Sequence, residues 1–286
     1  MIRFRSSKMR QLAKALRSPK GMFSLGVIGL LLLAATFAPL IAPFDPNKQD
    51  LMLAMTPPQL TGPHFLGTDH VGRDMMSRII YGSRVSLLIA VAVVLFSGVV
   101  GVTLGVVSGY YGGRTDSVIQ KFLEVVWAFP PLLLAISIVA FLGQGLGILI
   151  IALASQRWIP YCRLARAEAL TLREREFVSA ARSLGASDGR ILRTHILPNL
   201  IQSALIVATF AMATAIIAES SLSFLGLGVP ATTPTWGGML ADARAYISTS
   251  WWMALFPGLS IFCTVLAINL LGDVLRTHLD PRLNRL

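Results

Sequence analysis

Long runs of apolar residues, most of them uncharged, leave this chain few folds to choose from. A helix crossing the hydrocarbon core of a bilayer needs about 20 mostly apolar residues. Met22–Ile41, Val85–Val107 and Trp252–Leu271 meet that requirement without one charge, and Leu200–Ser220 meets it with Glu219 alone. From Val125 to Gln156 there are 32 uncharged residues, too many for one crossing, and FLGQGLG at 141–147 divides them. The pattern predicts an all-α membrane protein with six transmembrane helices.

The third helix is expected to begin near Val118, with Lys121 and Glu124 as an i,i+3 pair in its first turns. FPP at 129–131 falls inside it and predicts a kink, tolerable where neighbouring helices cover the freed carbonyls. The fourth is expected to end near Cys162, with Arg157 snorkelling toward the inner interface. The first run is about twice the length of a signal-peptide core, and Pro39 and Pro43 crowd any cleavage site after it. It reads as an uncleaved span.

Composition agrees with the apolar runs. Hydrophobic residues make up 54% and charged residues 14%, against roughly 45–50% and about 25% in soluble domains. The formal charge of +11 raises nucleic acid as a partner, but the basic residues sort by topology rather than into one patch. With the N-terminus inside, inner segments hold twenty Lys and Arg, and outer segments hold five. Four of those five, Lys48, Arg73, Arg78 and Arg84, share a loop with Asp45, Asp50, Asp69 and Asp74. Both termini are therefore expected in the cytoplasm, with the basic arm near anionic lipid heads. Trp251 and Trp252 suit an interfacial aromatic belt.

The resulting organisation is a basic arm over 1–21, a six-span domain over 22–272 and a tail over 273–286. Within the six-span domain lie an outer loop at 42–84 and a cytoplasmic loop at 165–199. Cys162 and Cys263, 101 residues apart, have neither a disulfide framework nor metal-ligand spacing, and read as packing residues.

The cytoplasmic loop departs most from its surroundings. Phe177, Ala180, Ala181 and Leu184 form an i, i+3, i+4, i+7 stripe on a short helix that Gly185 ends in the left-handed region. Ser187 or Asp188 can cap a second helix carrying Ile191, Leu192, Ile196 and Leu197, which Pro198 is expected to stop. Small alanines allow a partner to approach closely, and Arg173, Arg175, Arg182 and Arg190 favour an acidic groove.

Ser179-Ala180-Ala181, three residues, Gly185, nine residues, then His195, Ile196 and Leu197-Pro198, resembles the Glu-Ala-Ala loop of ATP-binding-cassette importer permeases. Ser179 stands where that pattern has an acid, and His195 where it has isoleucine; Glu174 or Glu176 could supply the acid one or two turns earlier. The stretches at 65–90, 223–240 and 251–283 are similar to dipeptide and oligopeptide permeases. They look most like the shorter partner of that paired permease, also used by nickel and glutathione importers.

The resemblance implies a type I importer permease in a bacterial inner membrane, forming half of a pathway for short peptides. A second homologous permease, two cytoplasmic ATPases and an extracytoplasmic substrate-binding protein would be its partners. The chain has no G-x-x-x-x-G-K-[ST], so ATP and Mg are expected on the ATPases, with no cofactor and no catalytic residue here. A nickel or glutathione permease is the alternative substrate reading, and a gradient-driven carrier the alternative mechanism. Neither an internal repeat nor a convincing proton relay supports the carrier.

Other candidate positions are single residues. Glu219, near the outer end of the fifth span, lines the pathway or already reaches the interface. Its depth separates it from Arg157. Asn269 hydrogen-bonds across helices or lines a wet path. His64 and His70 with Asp69 and Asp74 match no usual metal-ligand spacing, and GTDHVGRD reads instead as a turn and helix cap. Gly101, Gly105 and Gly109 form two overlapping G-x-x-x-G units that fit close helix packing. No H-E-x-x-H, G-x-S-x-G or carboxylate pair within a span supports hydrolysis.

Overall fold

The computed structural model describes residues 16–59 and 61–279, so most of the basic arm and the end of the tail lie outside the described residues. Its helices run α1 (Pro19–Thr36), α2 (Met75–Tyr111), α3 (Gly113–Trp127), α4 (Pro131–Leu142), α5 (Leu146–Arg173) and α6 (Glu176–Ser183). α7 (Asp188–Ile191) continues through a π-helical turn (Leu192–Ile196) into α8 (Leu197–Phe224), and α9 (Trp236–Ala243) and α10 (Trp252–Leu279) follow. α1, α2, the continuous helix Asp188–Phe224 and the stretch Trp252–Thr277 of α10 are long and apolar enough to cross a membrane. α3 and α4 make a fifth candidate only across a bend of 83°. In α5, Gln156, Arg157 and Arg163 dilute the apolarity that Leu146–Ser155 supplies.

The bend is much sharper than the kink expected at FPP within the third span. Pro131 drives Pro130 into extended geometry (φ −59°, ψ 128°), and neither residue has an N–H to continue the α3 ladder. Gln156 of α5 covers the freed carbonyls, its Nε2 donating at 2.8 Å to both Val126 and Phe129. α3 thus becomes a separate amphipathic helix, on which Lys121 and Glu124 are both exposed and not ion-paired with each other. The break between α4 and α5 falls where the glycines predicted it, at Gly143 (φ +90°).

The bundle is built around the crossing of α2 and α5. Gly101, Gly105 and Gly109 sit one turn apart on α2, against the backbone of α5 at Trp158, Cys162 and Arg166. A Cβ at these glycines would lie 2.2 Å, 2.3 Å and 2.5 Å from those three carbonyl oxygens. Lipid is as apolar as a leucine side chain, so close packing of small residues has to supply much of what holds two helices together in a membrane. Ala165 and Ala169 extend the small surface of α5, and Cys162 is a buried free thiol within it. Next to this crossing, Ile89 and Val93 of α2 pack with Ala152 of α5, Ala215 and Ile216 of α8, and Ile268 of α10.

At the other end, the loop before α2 is folded. Asp74 caps α2 by accepting from Ser77 N at 2.7 Å, so this helix starts ten residues before its apolar run. His64 Nδ1 lies 2.9 Å from the same carboxylate. Arg73 pairs with Asp69 (2.5 Å) and Asp242 (2.9 Å), and Arg78 reaches the same two acids at 3.6 and 3.5 Å. Trp252 is buried and donates to Thr68 O at 3.0 Å, so of the two tryptophans assigned to the belt only Trp251 is exposed.

Candidate coupling hairpin and transmembrane groove

The loop at 174–198 folds as a helical hairpin on the ends of α2 and α5. Gly185 adopts φ +81°, and its N–H bonds to Arg182 O (3.0 Å) while Ala186 N–H bonds to Ala181 O (3.0 Å). These are the two reverse bonds of a glycine-terminated helix end, and they close α6. Ser187 then starts α7 in extended geometry, with no side-chain capping bond. Val178, Ile191 and Ile196 are buried against Val106, Ala165, Ala169 and Leu200, with Ala181 and Leu197 at the margin.

That packing turns the stripe outward. Phe177, Ala180 and Leu184 are exposed, Leu184 by 89%, whereas the side chain fully buried under α6 is Val178. Ser179 is exposed, and His195 is half-buried with its ring 5.8 Å from that of Phe177. Pro198 does not end the second helix. Its missing N–H and its ring are accommodated by the widened turn at Leu192–Ile196, and Asn199 Nδ2 donates to His195 O at 2.6 Å.

Only part of the basic surface is available to a partner. Arg173 Nη1 donates to Gly109 O (3.0 Å) and Tyr110 O (3.3 Å), and its Nε reaches Glu174 (2.9 Å). Arg182 Nη2 donates to the Tyr110 hydroxyl at 3.3 Å, an interaction that raises the Arg182 pKa above its ordinary value. The same hydroxyl donates to Asp188 Oδ1 at 2.6 Å. Arg175 and Arg190 remain on the surface with Glu176. Asp116 of α3 and Arg166 of α5 form a two-point ion pair at 2.6 and 2.7 Å, to which Ser108 adds a hydroxyl bond. Tyr110, Asp116 and Arg166 were not singled out in the sequence; only Tyr110 and Asp116 lie near the glycine ladder along the chain, and Arg166 carries no local signal.

A groove of about 630 Å³ opens between the α3–α4 bend, α5 and α8. Arg157 lines it, donating to Thr214 Oγ1 at 2.5 Å and Thr214 O at 2.8 Å, so its head is tied across to α8 rather than drawn toward an interface. Arg163 stacks over Trp127, 3.6 Å from the ring centre. Glu219 faces away from this groove. It is fully buried, accepts from Ser223 Oγ at 2.8 Å and has Thr235 close by. Asn269 is half-buried on α10 and is not part of the groove lining.

Asp69 and His70, two of the four residues weighed for a metal in the sequence, bring one ligand atom each within 4.8 Å of one another and of Asp242, which the sequence did not indicate. Both carboxylates already face the guanidinium groups of Arg73 and Arg78, which oppose a cation at the same oxygens.

Residues 101–285 match the family described as binding-protein-dependent transport system inner membrane component, and residues 10–58 match the N-terminal TM domain of oligopeptide transport permease C. The di/tripeptide transport system permease protein of Pseudomonas aeruginosa is 44% identical over 258 residues, covering 89% of this chain and 85% of that one. The oligopeptide transport system permease protein of Bacillus subtilis is 38% identical over 285 residues, 100% of this chain and 89% of its own length. The glutathione transport system permease protein of Escherichia coli is 44% identical over 255 residues, 89% and 84% of the two chains.

Proposed function

The chain belongs to the family of binding-protein-dependent transport system inner membrane components, and from that premise we propose that it forms half of the pathway of an ATP-driven importer of short peptides. The observation carrying this reading is the hairpin, packed on α2 and α5 through Val178 and Ile191 and presenting Phe177, Ala180 and Leu184 outward. Such a surface suits a separate cytoplasmic ATPase, whose movement on binding nucleotide would enter the bundle there.

In the full arrangement α1, α2, the bent pair α3–α4, α5, the continuous α7–α8 and α10 are six crossings, with both termini in the cytoplasm of a bacterial cell. A second homologous permease completes the pathway. Two ATPases hold ATP and Mg, while this chain carries no catalytic residue and no cofactor of its own. A substrate-binding protein delivers ligand from outside. Ser179, Ala180, Ala181, Gly185, His195, Leu197 and Pro198 form the coupling element, with Ala181 and Leu197 anchoring it from the inner side. The names of the relatives support peptides as cargo, and glutathione, itself a tripeptide, falls in the same chemical class.

The test is uptake in proteoliposomes containing this chain, its permease partner and the ATPases, with the binding protein added outside. Dipeptide accumulation should require both enclosed ATP and the binding protein. Accumulation driven by an ion gradient without ATP would overturn the proposal.

A further inference from the structure

Arg157 occupies an unusual position. It lies eleven residues from the start of α5, about 16 Å along the helix, and its partner Thr214 is near the middle of α8. A guanidinium at that depth normally faces an anion or a wet cavity. The two bonds it makes are to the hydroxyl and carbonyl of Thr214, neither of which carries a charge. No carboxylate lines the groove among the described residues, which gives its wall two cations, Arg157 and Arg163, and no counter-ion. Gln156 fixes the bend of α3 and α4 against the turn of α5 from which Arg157 projects. Pro131, Leu132, Leu153 and Ile217 make the rest of the wall largely apolar.

We propose that Arg157 receives the C-terminal carboxylate of a peptide during its passage, a reading that rests on the peptide-importer function above. A guanidinium offers paired N–H donors that match both oxygens of a carboxylate, and those bonds are stronger than the bonds to neutral Thr214 oxygens that they would replace. The terminal carboxylate is the one anion every linear peptide with a free C-terminus carries, whatever its side chains. A cation reading it, set among apolar walls, selects the class without selecting the sequence. Arg163 is held on Trp127, which leaves Arg157 as the groove guanidinium with no aromatic partner among the described residues.

The experiment compares ATP-dependent uptake of alanyl-phenylalanine and of its C-terminal amide by the full reconstituted complex, wild type against Arg157→Gln and Arg157→Lys. Assembly and ATP hydrolysis stimulated by the binding protein are followed in parallel. Arg157→Gln should reduce uptake of the acid at least about tenfold, change uptake of the amide less than about twofold, and leave stimulated hydrolysis in place. Arg157→Lys, which retains the cation, should recover part of the preference for the acid, and it carries the comparison if Arg157→Gln does not assemble. Equal losses for acid and amide would overturn the proposal by assigning Arg157 to packing or to a carboxylate of the second permease. Unchanged uptake of both would place it outside the pathway. Failure of the wild type to accumulate either compound with ATP would instead refute the importer reading itself.

Discussion

The hydroxyl of Tyr110, at the end of α2, donates to Asp188 at the start of α7 across 78 residues of sequence, at 2.6 Å. Arg182, in the last turn of α6, donates to the Tyr110 hydroxyl oxygen. One side chain therefore fastens both limbs of the hairpin to the end of a transmembrane helix. Removing the hydroxyl while keeping the ring tests this link, because packing against Val106 and Ala165 is retained. Tyr110→Phe should lower stability by only about 1 kcal/mol. Uptake per ATP hydrolysed should fall severalfold in the reconstituted complex. An unchanged ratio would show that the link carries no motion.

Gly185 gives a second test of coupling. At φ +81° any residue with a Cβ is strained by about 1–2 kcal/mol, yet a Cβ there would meet nothing within 4 Å. Gly185→Val should thus fold and assemble with a distorted turn, and ATP hydrolysis should continue while uptake drops. Normal uptake would remove the turn from the coupling path.

The α2–α5 crossing predicts a contrast between glycines. A Cβ at Gly105 would lie 2.3 Å from Cys162 O, which is backbone and cannot step aside, whereas Gly29 has open space around it. Gly105→Val should destabilise the chain by at least about 3 kcal/mol. Membrane abundance and the melting temperature of the purified chain would register that loss. Gly29→Ala should change either measure by an amount equivalent to about 0.5 kcal/mol or less.

Topology can be read from two exposed side chains at opposite ends. Leu184 is 89% exposed on the hairpin and Met52 is 93% exposed in the loop before α2. In intact cells an impermeant maleimide should label Met52→Cys and spare Leu184→Cys until the membrane is opened. Native Cys162 is buried and Cys263 half-buried, which keeps their background low. Labelling of Leu184→Cys from outside would invert the orientation inferred from the basic residues.

What the sequence made legible was whatever depends on near neighbours. Apolar run length announced α1, α2, α8 and α10, FLGQGLG the break before α5, GTDHVGRD a cap ahead of α2, and Gly185 the stop of α6. Contacts across the fold were not legible. Asp242 joins Arg73 from 169 residues away, and Arg166 meets Asp116 from 50. The proline rules placed the bend at FPP but not its sharpness, and they misjudged Pro198, for the same reason. Whether Pro130 and Pro131 produce a kink or a right angle depends on Gln156 reaching their freed carbonyls. Whether Pro198 halts a helix depends on a π-turn that no local propensity foretells. The outward turn of Phe177 and Leu184 was equally hidden, because an apolar stripe on a short helix does not state which side has the protein behind it.

The absence of a stop at Pro198 has a mechanical meaning. The second limb of the hairpin and the fifth predicted crossing are one helix of 37 residues from Asp188 to Phe224, about 55 Å from end to end. A displacement at its hairpin end meets no loop that could absorb it, so the rod must tilt or slide as a whole. Thr214, which holds Arg157, rides on that rod, and each stroke of the motor would reshape the groove wall directly.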